Sequence, residues 1–271
     1  MKIFAIRNEN DLNKDLAYMF YFEKAKSFYI EIPSDIDAWD LPIILSSFAR
    51  NGELTVDSYW SKIWVQQRII PSDRQNLGDI LRDNKLKEYD EYKFLKLTKG
   101  RCEQDDCYIA PIQEKKLPKE ILHRMNNKIE YAIPLTHYRV IVFLKNKKTK
   151  LCDVTAFFEK MINLNKKYED YSVFKSVRIE AGGYGLTWGS NINVSDEWLM
   201  SHGKPLPLSI EDLKLIIYNG TVNSADAAEM IGCSRQNIDD LIKRDKLIPV
   251  KVSGKNKLFL RDDIAKYELE G

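Results

Sequence analysis

Residues 223–244 carry a spacing that leaves few folds open: Ala227-Ala228, then Gly232, then Ser234, with Ile238, Leu241 and Ile242 beyond. Small Ala228 lets two helices approach closely. Gly232 supplies a turn, because glycine takes a positive φ at no steric cost. Ser234 is the residue type that caps a helix, its hydroxyl accepting from the unpaired N–H groups of the first turn. At about 100° per residue, Ile238, Leu241 and Ile242 share one face and are expected to pack on Ala227 and Ile231. The pattern predicts a helix, a turn and a capped second helix.

The flanking chain extends the prediction. Ser209 with Glu211 and Asp212 marks an earlier helix start, and Asn219-Gly220 its end. Residues 247–252 and 258–260 read as a β-hairpin around Ser253-Gly254-Lys255-Asn256-Lys257, and Arg261-Asp262-Asp263 opens a closing helix. Between positions 243 and 257 the cations Lys243, Arg244, Lys246, Lys251, Lys255 and Lys257 face Asp245 alone. The net charge of the whole chain is only +2, so any affinity for nucleic acid has to come from such local clustering.

Residues 220–267 resemble the excisionase-like, MerR-type winged helix-turn-helix domains of bacterial regulators. The resemblance rests on Ala227-Ala228, Gly232-Cys233-Ser234-Arg235, Leu247-Ile248-Pro249-Val250 and Arg261-Asp262-Asp263-Ile264. It implies that residues 234–244 enter the major groove of double-stranded DNA and that residues 255–257 touch its backbone. On a helical projection Gln236, Asp239, Asp240 and Lys243 point away from the apolar face, with Arg235, Asn237 and Arg244 on its flanks. Gln236 suits an adenine edge and Arg235 a guanine. The expected DNA-contacting set is Ser234, Arg235, Gln236, Asn237, Lys243, Arg244, Lys251, Lys255, Asn256 and Lys257. Asp239 and Asp240 oppose it, since carboxylates repel phosphate. The competing reading is a protein-interaction module that has lost DNA binding.

Upstream, residues 1–115 read as an α+β domain. Strands are expected at 1–7, 18–23, 28–32, 92–98 and 108–112, and helices at 41–50, 58–69 (capped by Asp57) and 73–84. Residues 73–86 echo residues 234–247, with Arg74-Gln75-Asn76 standing where the later segment has Arg235-Gln236-Asn237. One reading is a second DNA-contacting helix using Arg68, Arg74, Gln75, Asn76 and Arg82. The favoured reading is chance repetition of a short helical pattern, because Gln67 and Pro71 occupy the places of the alanine and glycine.

Residues 114–129 read as a polar connector with some helix. Residues 130–205 form a second small α+β domain, with hairpins at 138–153 and 175–188, a helix at 154–163, and a helix started by Ser195. This stretch resembles the bacterial domain-of-unknown-function family 2442, through Val177-Arg178-Ile179-Glu180, Gly182-Gly183-Tyr184-Gly185 and Trp188. That resemblance implies a small α+β fold and no established chemistry. The glycines do not read as a phosphate loop, because a strand and not a helix follows them. Lys204-Pro205-Leu206-Pro207 marks the boundary to the third domain, 208–271.

The fold class expected is α+β: two small α+β domains and a C-terminal winged helix-turn-helix. No metal or cofactor is expected, since Cys102, Cys107, Cys152 and Cys233 lack zinc spacing and His123, His137 and His202 are scattered. No catalytic constellation stands out, so an enzyme is not expected. No run of about 18 apolar residues exists, so no membrane span is expected. With no export signal at the start, the location expected is cytoplasmic. The partners expected are double-stranded DNA, a second copy in a homodimer, or a protein bound by an adaptor of a toxin–antitoxin or phage-related system.

Overall fold

The structure is a computed structural model. It describes residues 1–189 and 191–270, with the side chains of all of these except 12, 13 and 268–270. The chain divides into two compact units. The first holds Met1–Asn146 and Cys152–Gly203, the second Lys147–Leu151 and Lys204–Gly271. Both mix helices with antiparallel strands.

The first unit is built on β1 (Lys2–Asn8), β2 (Asp11–Phe22) and β3 (Ser27–Glu31), which pair antiparallel in sequence order. Side chains alternate between faces along a strand, and here both faces are apolar. Phe4, Ile6, Met19 and Ile30 enter one core, while Ile3, Ala5, Tyr18 and Phe20 enter another. The first core is filled by Leu45 of α1 (Ile43–Arg50), by Trp64 and Val65 of α2 (Ser58–Gln66), and by neighbouring residues of later helices. The short β4 (Thr55–Val56) precedes α2 and pairs with β3. Charged Glu23, Lys24 and Lys26 sit at the exposed tip between β2 and β3.

Two elements differ from expectation. Residues 73–76 form turns, and α3 (Leu77–Asp83) starts after them. Residues 92–98 are not a strand but lie in α4 (Glu91–Thr98), because the Asp90 carboxylate accepts from the Lys93 N–H at 2.9 Å and Phe94 and Leu95 share the buried face. β5 (Cys107–Pro111) then completes the sheet in the order β4-β3-β2-β1-β5. α5 (Lys119–Asn126) buries Ile121 against the second face, so the expected connector is part of the packed unit.

β6 (Ile129–Pro134) and β7 (Arg139–Leu144) form the first hairpin of the middle stretch. The division between the units falls inside β8 (Thr149–Asp153). α6 (Thr155–Leu164) follows, and then α7 (Tyr171–Lys175), which with β9 (Arg178–Ile179) replaces the longer strand expected at 175–180. The Asp170 carboxylate accepts from the Ser172 N–H at 2.8 Å and starts α7. β9, β10 (Gly185–Trp188) and β11 (Ile192–Ser195) make a three-stranded sheet that leads into α8 (Asp196–His202). Phe158, Phe174, Leu186 and Trp188 fill this core, and the Trp188 indole N–H is satisfied by the Phe174 carbonyl at 2.7 Å. Gly183 has φ +87, and a Cβ there would stand 2.2 Å from the Ile129 carbonyl oxygen. Gly183 therefore serves close backbone approach, and Gly182 leaves room for the Phe22 ring.

The stretches expected as domains 1–115 and 130–205 thus keep separate apolar cores, and all of the first and most of the second (130–146 and 152–203) lie in one compact unit. A buried ionic network joins them. Glu31, with no exposed surface, pairs with Arg124 at 3.0 Å and with Lys128 at 3.3 Å. Lys128 reaches Asp196 at 3.0 Å and lies 4.0 Å over the Tyr184 ring, and Tyr184 stacks on Tyr29 at 3.9 Å.

Burial pushes the Asp196 carboxyl up from 3.8 to about 6, against the opposing pull of Lys128. Between those pH values the folded chain holds a proton that the unfolded chain has lost, so this group's contribution to stability falls as pH rises through the window. We expect Asp196→Asn to remove that slope, which corresponds to roughly 2–3 kcal/mol between about pH 4 and pH 6. Urea unfolding across that range checks it; parallel profiles for the two proteins would refute it.

In the second unit β12 (Lys204–Pro205) pairs with β8 at Leu151 and Lys150. α9 (Ile210–Gly220) starts with the capping box expected from Ser209 and Asp212. β13 (Thr221–Asn223), α10 (Ser224–Ile231), α11 (Arg235–Lys243), β14 (Lys251–Ser253), β15 (Asn256–Leu260) and α12 (Arg261–Glu270) follow. Ala227, Ala228, Ile238, Leu241, Leu247, Phe259 and Ile264 form one small core, with Ile231 and Ile242 packed on it. Among the described residues of the chain, no helix is long and apolar enough to cross a membrane.

Candidate nucleic-acid interface

Local chemistry sets the geometry of α10 and α11. The Asn223 side chain accepts from the N–H groups of Ala225 and Asp226 at 2.7 and 3.1 Å and starts α10. Gly232 ends it at φ +72, donating its N–H back to α10. Ser234 caps α11 through the Asn237 N–H at 3.2 Å. With Ile238 and Leu241 turned into the core, Arg235, Gln236, Asn237, Asp239, Asp240, Lys243 and Arg244 are all exposed.

The hairpin pairs Lys251 with Leu258, Val252 with Lys257, and Ser253 with Asn256, which leaves Gly254 and Lys255 at the tip. β15 also pairs with β13, so the sheet order is β13-β15-β14. Lys251 to Ser253 is shorter than the strand expected at 247–252, although the Val250 N–H still reaches the Leu258 carbonyl at 2.8 Å.

Between the first turn of α11 and this hairpin runs a groove of about 600 Å³. Of the residues expected to touch DNA, Arg235, Lys251, Lys255, Asn256 and Lys257 line it. Ser234, Gln236, Asn237, Lys243 and Arg244 do not line it; they lie elsewhere on α11 or at its ends. The groove also takes in Asn223 and Ser224 at the start of α10, which sequence reasoning passed over. The Ser224 hydroxyl is buried without a hydrogen-bond partner. Its position one residue after a capping asparagine was the available signal, since helix N-termini gather anion-binding groups.

The two troublesome acids are neutralised inside the unit. Asp239 pairs with Lys257 of the hairpin, and Asp240 with Lys243 at 3.0 Å. The Lys243 ammonium holds the Asp240 carboxyl below its usual range. Lys257 therefore braces the hairpin against α11, with about a fifth of its side chain exposed. Among the described residues Arg235, Lys251 and Lys255 have no carboxylate within ion-pair distance. These three are the cations of the groove left for an external anion.

The second DNA-contacting helix weighed for the first unit does not assemble. The Arg68 side chain is 1% exposed, pairs with Asp105, donates to the Trp64 carbonyl at 3.1 Å and covers the Trp64 ring at 3.7 Å. It is a core residue and cannot reach a duplex. Arg74 turns back to the Asn76 side chain at 3.0 Å, and Arg82 pairs with Asp79. Arg74, Gln75 and Asn76 lie in turns before α3, whereas Arg235, Gln236 and Asn237 form the first turn of α11. The difference is the cap. Ser234 bonds the third N–H beyond it, while α3 is preceded by Asn76 with no side-chain cap bond.

Among the described residues no three histidine, cysteine or acidic side chains gather as metal ligands do. Burial pushes the Cys107 thiol up to about 12. Compared with known proteins, the chain matches no family model, no curated protein and no solved structure.

Proposed function

We propose that this chain is a sequence-specific DNA-binding regulator whose second unit is a winged helix-turn-helix. In this reading α11 enters the major groove and the β14–β15 hairpin lies along the backbone. The observation that carries it is the groove in which Arg235, Lys251 and Lys255 have no ion-pair partner among the described residues, while its one lining carboxylate, Asp239, is matched by Lys257, beside an exposed, capped helix. Phosphate neutralisation is the main term in DNA affinity, and these cations can supply it. Arg235 and Gln236 at the start of α11 are the base-reading candidates. One such module buries only about 600–1,000 Å² on DNA, so pairing of two copies on two half-sites is part of the proposal.

Fluorescence anisotropy with a pool of genomic fragments tests it. With about four phosphates neutralised, raising salt from about 50 to about 200 mM should weaken binding by roughly two orders of magnitude. Lys251→Ala with Lys255→Ala should lower affinity about equally on all sequences and flatten the salt slope by about two. Arg235→Ala should instead relax base preference, by about 1–3 kcal/mol at the contacted pair. Binding that ignores salt and survives the lysine double variant would sink the proposal.

A second reading, a protein-binding adaptor, is favoured by one observation. Leu215, Ile216, Ile217 and Tyr218 of α9 are all more than half exposed. That reading predicts no salt-dependent affinity for any duplex.

A further inference from the structure

A cavity of about 370 Å³ lies within the first unit, where the N-terminal and middle stretches meet. Its size suits a small organic ligand. The start of α2 contributes Asp57 and Tyr59, β3 contributes Tyr29, and the start of α8 contributes Asp196, Glu197 and Trp198. Glu180 and Tyr184 close it from the glycine hairpin. Among the described residues no lysine, arginine or histidine lines it.

We infer that this cavity binds a small organic ammonium ion, a protonated amine carried on an aromatic or aliphatic body.

Charge is the first argument. Asp196 is matched by Lys128. Asp57, Glu180 and Glu197 have no cation within ion-pair distance among the described residues. Glu180 is half-buried, and the Tyr29 hydroxyl donates to it at 3.2 Å. Burial, and after it the charge on Asp57, raises the Glu180 carboxyl above its usual range. Asp57 and Glu197 are exposed, so Glu180 is the carboxylate whose burial is costly, and a cation entering beside it relieves that cost. An anion would add to it.

The wall itself already shows the recognition chemistry. The Lys128 ammonium lies 4.0 Å over the Tyr184 ring and 3.0 Å from Asp196, and both of these residues also line the cavity. Carboxylate plus aromatic ring is the combination that holds ammonium groups out of water. On the open side Tyr59 is 64% exposed, and Trp198 and Phe157 meet edge to face at 4.8 Å, which gives an apolar body surfaces to rest on. The bland alternative is a solvated acidic pit, which would not distinguish an amine from its neutral counterpart beyond weak screening.

The test uses the full chain and three probes of one size: phenethylammonium, 2-phenylethanol and phenylacetate, with putrescine as an aliphatic amine. Calorimetry should show saturable binding of at least one of the two amines below about 10 mM, with the alcohol and the carboxylate at least about tenfold weaker. Glu180→Gln keeps a partner for the Tyr29 hydroxyl and should weaken amine binding at least about tenfold. Asp57→Asn keeps the helix cap and should weaken it in the same direction. Thermal unfolding of each variant shows that the unit is intact. Lys251→Ala, in the other unit, should leave amine binding unchanged whether or not the chain binds DNA. Failure of both amines to bind by about 10 mM overturns the inference. So does equal binding of the alcohol, or full affinity in a folded Glu180→Gln protein.

Discussion

Replacing Lys128 with methionine is expected to destabilise the first unit by about 3–5 kcal/mol, the usual cost of stranding a buried charge. Lys128 is 2% exposed and its ammonium stands between two carboxylates, Glu31 at 3.3 Å and Asp196 at 3.0 Å. Glu31 would keep Arg124 at 3.0 Å, but Asp196 would lose its cation in an almost closed site. The cost should therefore fall on Asp196, and Asp196→Asn should rescue part of it. A double-mutant cycle in urea measures this, with the pair less destabilised than the sum of the single changes. Strict additivity would show that the two groups do not act together. All five tryptophans (Trp39, Trp60, Trp64, Trp188 and Trp198) lie in the first unit, so tryptophan fluorescence follows this transition alone.

The same distribution of tryptophans isolates the second large effect. Phe259→Ala should cost about 3–5 kcal/mol, because the ring is 1% exposed at the centre of the small second core. A unit of about 70 residues holds roughly 3–10 kcal/mol in total. The variant should therefore lose helical circular dichroism from this unit while the tryptophan transition stays where it was. On the proposed function, DNA binding should vanish with it. A tryptophan transition that moves in parallel would mean that the two units unfold as one, and that the division between them is not thermodynamic.

Much of the local structure was legible in the sequence. Asp57, Ser195, Ser209 and Ser234 were each read as helix caps, and each accepts a first-turn N–H. The apolar faces of α10 and α11 meet in one core as their periodicity implies. Residues 92–98 suggest a strand because Tyr92, Phe94, Leu95 and Leu97 form a short apolar run that suits either period. Packing of Phe94 and Leu95 against the sheet, together with the Asp90 cap, decides for the helix. For the candidate interface, sequence picked out the cations but not their pairings. Nothing in the order of residues says that Lys257 returns to Asp239, or that Arg68 is folded inward on Trp64.

What the sequence determined alone was the punctuation of the chain: caps, glycine turns, hairpin tips and the cluster of cations near its end. Each depends on residues a few positions apart, whose geometry the backbone itself constrains. Only the tertiary structure decided which charges cancel, which remain free, and that residues 1–146 and 152–203 share one unit. Glu31 and Lys128 are distant along the chain, and their attraction exists only once folding has brought them together and excluded water.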